Sequence, residues 1–426
     1  MRIKKNNIYY SIVIIYTLLM SGSFIAHSYS DVLTKINMIV SVGVILAYCS
    51  RNGFAIRRDI VTLFAAITIL DYIIRIIYWN EFSSFTGYLG DICILLVYII
   101  IGSAFDYSLF IIKYNKILRV LTIASLVGHA FYSALIRMPV PVIGNTWKYH
   151  FFGLFALREG SSVRNSGIFW EPGMFQGFLV FGLLLIILKR KKEVRDWIDV
   201  TLYVIAIITT ESTTGYFLLV LLLMLFILIS ISPQGVQIEQ KKTRKILQRV
   251  IIAFSILFAV IVLLNEDILY EMLTFFPEDV VGKLIDPTNI STNSRIYGML
   301  YDVMLSMKYP FGVGRNSMKE LWGVMMSQYG VEVIGRTSAW STAFVYSGIF
   351  GGIMYISLWV SACIRFQRRD GIRILYTILI MAIILNTEPH YATLFFNTIA
   401  VMWCRQIMQD DNDIMGKENV ADHLSA

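Results

Sequence analysis

The segment Arg164-Asn-Ser-Gly-Ile-Phe-Trp-Glu171-Pro-Gly-Met-Phe-Gln176 brings a guanidinium and a carboxylate together where a long apolar run begins. Its glycines, proline and tryptophan fit a broken start to a helix at a membrane interface, with Glu171 in the first turn. A carboxylate at membrane depth is costly unless it is paired or functional, so Glu171 is a candidate acid or base. The alternative is that it caps the helix and pairs with Arg164. A second cation, Arg295, follows Ser291-Thr292-Asn293-Ser294, a run of helix-capping residue types, and would sit in the first turn of the helix they open. There a cation opposes the helix dipole and gains nothing locally, which points to an anionic partner. Pro310-Phe-Gly-Val-Gly314-Arg315 then sets a glycine-flanked turn beside an arginine, and exposed backbone N–H groups next to a guanidinium can cradle an anion. Arg336 is a further cation in the same region. Glu388-Pro389-His390 offers a second acid–base combination, although an ordinary turn accounts for it better.

The elements that hold these residues belong in a bilayer. Of the 426 residues 57% are hydrophobic and only 15% charged, with a mean hydropathy of +0.65, more apolar than a soluble core requires. Runs long enough to span the hydrocarbon layer lie near 8–26, 31–49, 60–79, 85–105, 117–136, 168–188, 250–264, 337–362, 371–387 and 390–408. The stretch 197–231 supplies two more, joined by the polar turn Glu211-Ser212-Thr213-Thr214-Gly215. The spacing therefore predicts an all-α membrane protein of about twelve transmembrane helices, a single polytopic domain over 1–426. Long connectors at 137–167 and 265–336 lie on one side, and a tail occupies 409–426. In the larger connector Ile296, Met299, Leu300, Val303, Met304 and Met307 recur at helical spacing, as in an amphipathic helix on a membrane surface or over a cavity.

Orientation follows from lysine and arginine, which are retained in short cytoplasmic loops. Alternate connectors and the two ends hold 25 of the 37 such residues, so both termini are expected in the cytoplasm and both long connectors outside. The net charge of +8 follows from this sidedness and from anionic headgroups, not from a nucleic-acid footprint. Cys49, Cys93, Cys363 and Cys404 sit in or beside spans, without disulfide or metal spacing, and no histidine pair has the spacing of a zinc hydrolase. Asp71 and Arg75, four residues apart on the third span, read as a structural pair, with Asp91 as a possible third member.

Taken in order, these segments resemble the O-antigen polymerase and O-antigen ligase superfamily of bacterial membrane glycosyltransferases. The likeness rests on Arg164 to Gln176, the Thr-rich turn from Thr209 to Tyr216, the Ser294 to Gly314 helix with its Pro-Phe-Gly-Val-Gly end, and the glycines from Gly348 to Gly351. It covers roughly 160–355, and the first third is similar only in topology. The resemblance implies an inner-membrane enzyme that accepts undecaprenyl-diphosphate-linked oligosaccharides outside and transfers them by inverting, metal-independent chemistry. Arg164 and Arg295 would hold the diphosphate, with Arg315 or Arg336 as helpers, since guanidinium groups in a water-poor cavity stabilise the charge on the departing group. Ligases of this superfamily carry a histidine ahead of the late span; the stretch from Gly335 to Phe344 has none, which favours a polymerase and leaves Glu171, then His390, as the base. The expected partners are the lipid-linked oligosaccharide, membrane lipids and a chain-length regulator, with no nucleotide, metal or redox cofactor. A ligase acting on an acceptor such as lipid A core, and a flippase for the lipid-linked unit, are the alternatives.

Overall fold

α8 (Pro172–Leu188) is apolar on every side, and every residue from Gly173 to Leu188 is buried. A helix with no polar face must be surrounded, and it is: α6 (Tyr107–Ala130), α9 (Val194–Thr209), α10 (Thr213–Ser230) and α14 (Gly371–Thr387) all pack against it. The structure is a computed structural model and describes residues 7–28, 30–52, 60–78, 85–104, 107–138, 142–143, 147–150, 154–158, 164–189, 192–230, 290–313, 317–330, 338–367, 371–388, 390 and 393–404. The predicted span at 250–264, the tail, Arg315 and Arg336 lie outside the described residues.

Around the α8 core stand α1 (Asn7–Met20), the short α2 (Phe24–Ser28), α3 (Ser30–Asn52), α4 (Ile60–Tyr78), α5 (Phe85–Ala104) and the short α7 (Tyr132–Leu135). Later in the chain come α11 (Ile290–Lys308), α12 (Ser317–Tyr329), α13 (Ala339–Phe366) and a last helix, α15 (Leu394–Cys404). The described chain is thus predominantly helical. Three of its helices, α5, α10 and α13, are long and apolar enough to cross a membrane. Charged residues join helices at one end of the bundle. Arg119 of α6 grips Asp199 of α9 with two nitrogens, the Nη2 bond being 2.6 Å, and Lys189 after α8 reaches Asp196 at 2.6 Å.

Three boundaries differ from the sequence reading. α6 begins at Tyr107 and not near 117, so Lys113, Lys116 and Arg119 lie within the helix instead of in a connector. The connector 137–167 is not wholly irregular: β1 (Val142–Ile143), β2 (Trp147–His150) and β3 (Phe155–Arg158) form an antiparallel meander. Phe155 plugs into the space left by Gly128 of α6, a long-range fit that no local periodicity announces. α11 starts at Ile290, so Ser291 to Ser294 lie inside it and Arg295 falls in its second turn rather than its first. Its inner face is formed by Tyr301, Asp302, Leu305 and Ser306, all buried, while Met299, Leu300, Val303 and Met307 of the expected apolar stripe face outward.

Candidate functional site

The segment before α8 is woven into three neighbours. Phe24 N–H donates to the Ile168 carbonyl at 2.9 Å and Trp170 N–H to the Gly22 carbonyl at 3.1 Å, an extended pairing centred on Ser23 and Phe169. Asn165, fully buried, donates its N–H to the Thr209 carbonyl at 3.0 Å and its amide to the hydroxyls of Thr209 and Ser125. Its side-chain oxygen accepts from Gly167 N–H at 3.1 Å, closing a turn in which Gly167 adopts φ +58°. Each buried polar group here has a partner, so the backbone around Arg164 is fixed.

Arg164 itself donates from Nε to the Thr210 carbonyl at 3.0 Å and from Nη2 to the Glu211 carbonyl at 3.1 Å. These carbonyls end α9, where a cation complements the helix dipole. Glu211 holds φ +48°, the left-handed conformation that terminates a helix and is uncommon outside glycine. The Thr-rich turn after α9 is therefore the mount on which the guanidinium sits, part-exposed. Ser212 tightens the joint by donating to Gln176 Oε1 at 2.8 Å.

Glu171 stands at the N-cap position of α8 in extended conformation, partly exposed, and its side chain makes no capping hydrogen bond. The capping role that the sequence allowed is not taken. Glu388, in the turn after α14, is 1% exposed, and one of its carboxylate oxygens occupies the space that a side chain at Gly173 would fill. Two carboxylates thus approach the first turn of α8, where the helix dipole favours negative charge. His390 is fully buried between Phe178 and Phe396, with ring centroids 6.3 and 4.6 Å away, and a Cβ on Gly177 would touch its Nε2 at 3.4 Å. Held among these rings, the imidazole is part of the packing around α8.

A second convergence lies where the Pro310 turn meets α13. Gly348 has φ +68° and ψ −174°, which breaks α13. The Ile349 N–H, denied its own helix, donates to the Pro310 carbonyl at 2.8 Å, and the Val345 carbonyl accepts from Val313 N–H at 2.9 Å. The Tyr346 carbonyl accepts from Arg75 Nη1. Arg75, fully buried, also pairs with Asp71 at 2.9 Å and lies over the rings of Tyr72 and Tyr346 at 4.5 and 5.1 Å. The expected i,i+4 pair is present, and it also repairs a broken helix. The sequence reading missed that second role because Tyr346 is 271 residues from Arg75. Asp302 of α11 completes the junction, accepting from Trp322 Nε1 at 3.1 Å and Ser341 Oγ at 2.8 Å. Arg295 lies on α11, whose helix packs against α13.

No family model, curated protein or solved structure matches the chain.

Proposed function

We propose that this chain is a polytopic inner-membrane glycosyltransferase of about twelve spans, both termini cytoplasmic, that joins undecaprenyl-diphosphate-linked oligosaccharide repeats into an O-antigen or related surface polysaccharide. The observation that carries the reading is the docking of the 164–176 segment on the Thr-rich turn, which mounts Arg164 on two carbonyls and presents Glu171 at the head of α8. A guanidinium and an uncapped carboxylate on a fixed frame suit displacement of a diphosphate by a hydroxyl. In the reaction, the bond between the donor sugar's anomeric carbon and the diphosphate oxygen breaks as the acceptor hydroxyl attacks that carbon. The leaving diphosphate takes the bonding pair and is stabilised by Arg164, with Arg295, Arg315 and Arg336 as the other cations of the outside connectors. The hydroxyl proton passes to Glu171. His390 stands behind it as the second candidate for that role.

The test is a gel of surface glycolipids from a deletion strain, beside an assay of lipid-linked intermediates on each membrane face. Single repeats without a ladder, restored by the wild-type gene but not by Arg164→Ala, support the polymerase. Long polymer left on undecaprenyl diphosphate identifies a ligase instead, and units trapped on the cytoplasmic face identify a flippase.

A further inference from the structure

Basic residues crowd the end of the bundle where α8 stops and where α9 and α14 start. Lys189, Lys192 and Arg195 follow one another there, and Arg373 stands on the first turn of α14, a helix that packs against both α8 and α10. The carboxylate among them is already committed: Asp196 accepts from Lys189 Nζ at 2.6 Å and from the Glu193 N–H at 2.9 Å. Lys192 donates only to the Lys189 carbonyl, at 3.4 Å, and faces Arg373. Its ammonium is held below its ordinary pKa first by partial burial and then by the Arg373 charge, against the opposing effect of Asp196. Two cations brought together in this way gain from an anion placed between them.

The surface beside them is apolar. Lys192 Nζ lies 5.8 Å from the centre of the Phe226 ring, and Trp197, 47% exposed, meets the same ring edge-on at 5.9 Å. Beyond this pair Ile198, Ile205 and Ile208 face outward along α9, and Leu223, one turn before Phe226 on α10, is exposed as well. Charge, then an indole at the boundary, then aliphatic side chains match the head, interface and acyl chains of a phospholipid in turn. A free phosphate would meet the two cations but gain nothing from the isoleucines. We propose that this face holds one anionic phospholipid, its phosphate between Lys192 and Arg373, its glycerol at Trp197 and its chains along α9 and α10. The proposal rests on the membrane reading of these helices, of which α10 is long and apolar enough to cross, and not on glycosyl transfer.

The full chain, purified in dodecyl maltoside, would be titrated with dioleoyl phosphatidylglycerol or dioleoyl phosphatidylcholine, and the first bound lipid followed by native mass spectrometry. Phosphatidylglycerol is expected to bind about tenfold more tightly than phosphatidylcholine, and Lys192→Gln and Arg373→Gln each to weaken it about fivefold, the share of one cation near a headgroup. Trp197→Ala should weaken both lipids. Lys116→Gln, which removes a cation from the same end of the bundle on α6, should change neither. Equal binding of the two lipids would overturn the proposal. So would a loss in Lys116→Gln as large as that in Lys192→Gln, which would mean a diffuse positive surface, or displacement of the lipid by millimolar inorganic phosphate, which would mean a free-phosphate site. A chain that stays monodisperse without detergent would remove the membrane reading and the proposal with it, whereas failure of the lipid comparison alone leaves that reading standing. Should Arg373→Gln fail to fold, Lys192→Gln and the headgroup comparison still decide it.

Discussion

Arg164 is defined as much by what holds it as by what it could hold. Two carbonyls at the end of α9 fix the guanidinium through Nε and Nη2, a geometry that a lysine ammonium cannot reproduce. Arg164→Lys should therefore lose most polymer while the protein still reaches the membrane, as read on a glycolipid gel beside an immunoblot. Glu171→Gln keeps the shape of the α8 head but removes the proposed proton acceptor, and should lower the initial rate by about 10²–10⁴-fold, measured with lipid-linked substrate in membranes. His390 makes a packing prediction instead: His390→Ala would leave a gap between Phe178 and Phe396 and should cost about 2–5 kcal/mol, read as a lower thermal midpoint in detergent. Arg164 and Glu171 were legible because glycine, proline and tryptophan flank them in one short segment. The burial of His390 was not, since it depends on Phe178 and Phe396 arriving from two other helices.

At the level of elements, the broken α13 explains why the glycine-rich turn after α11 and the glycines of the late span belong together. A Cβ at position 348 would lie 2.5 Å from the Pro310 carbonyl oxygen and would also have to adopt φ +68°. Gly348→Ala should thus cost about 1–3 kcal/mol in backbone strain alone and displace the Pro310 turn, seen as a lower melting midpoint and faster proteolysis after residue 308. Arg75→Ala leaves the largely enclosed Asp71 without its cation and should destabilise by about 3–5 kcal/mol, whereas Arg75→Ala combined with Asp71→Leu should recover part of that loss. Thermal melting in detergent separates the two. The helical period located α8, α10 and α13 well, because continuous apolar runs carry their own signal. It misplaced the start of α11 because Ser, Thr and Asn cap helices in isolation, yet here they continue one. The β-meander escaped notice because its strands are two to four residues long, and Phe155 is held by the gap at Gly128.

Over the whole molecule, the distribution of basic residues argues for two-sidedness, and cysteine labelling can test it. Cys93, Cys363 and Cys404 are buried, which leaves a low background once Cys49 is replaced by serine. A cysteine at position 158 or 308 should react with a membrane-impermeant maleimide in intact cells, and one at position 195 only after the inner membrane is opened. The architecture was legible at the level of a predominantly helical, strongly apolar chain; the repaired helix was not, since it is made by residues far apart in sequence. The repair of α13 also sets an order for biosynthesis. Arg75 emerges from the ribosome 271 residues before the carbonyl it serves, and the Pro310 turn emerges before α13. The first half of α13 can therefore settle only onto a surface that the earlier chain has already built, while Arg75, with Asp71 as its companion, waits for the Tyr346 carbonyl through most of synthesis. A nascent chain stopped before residue 339 would carry that waiting arginine exposed to quality control, and its protease sensitivity should fall abruptly once residues 339–349 are added.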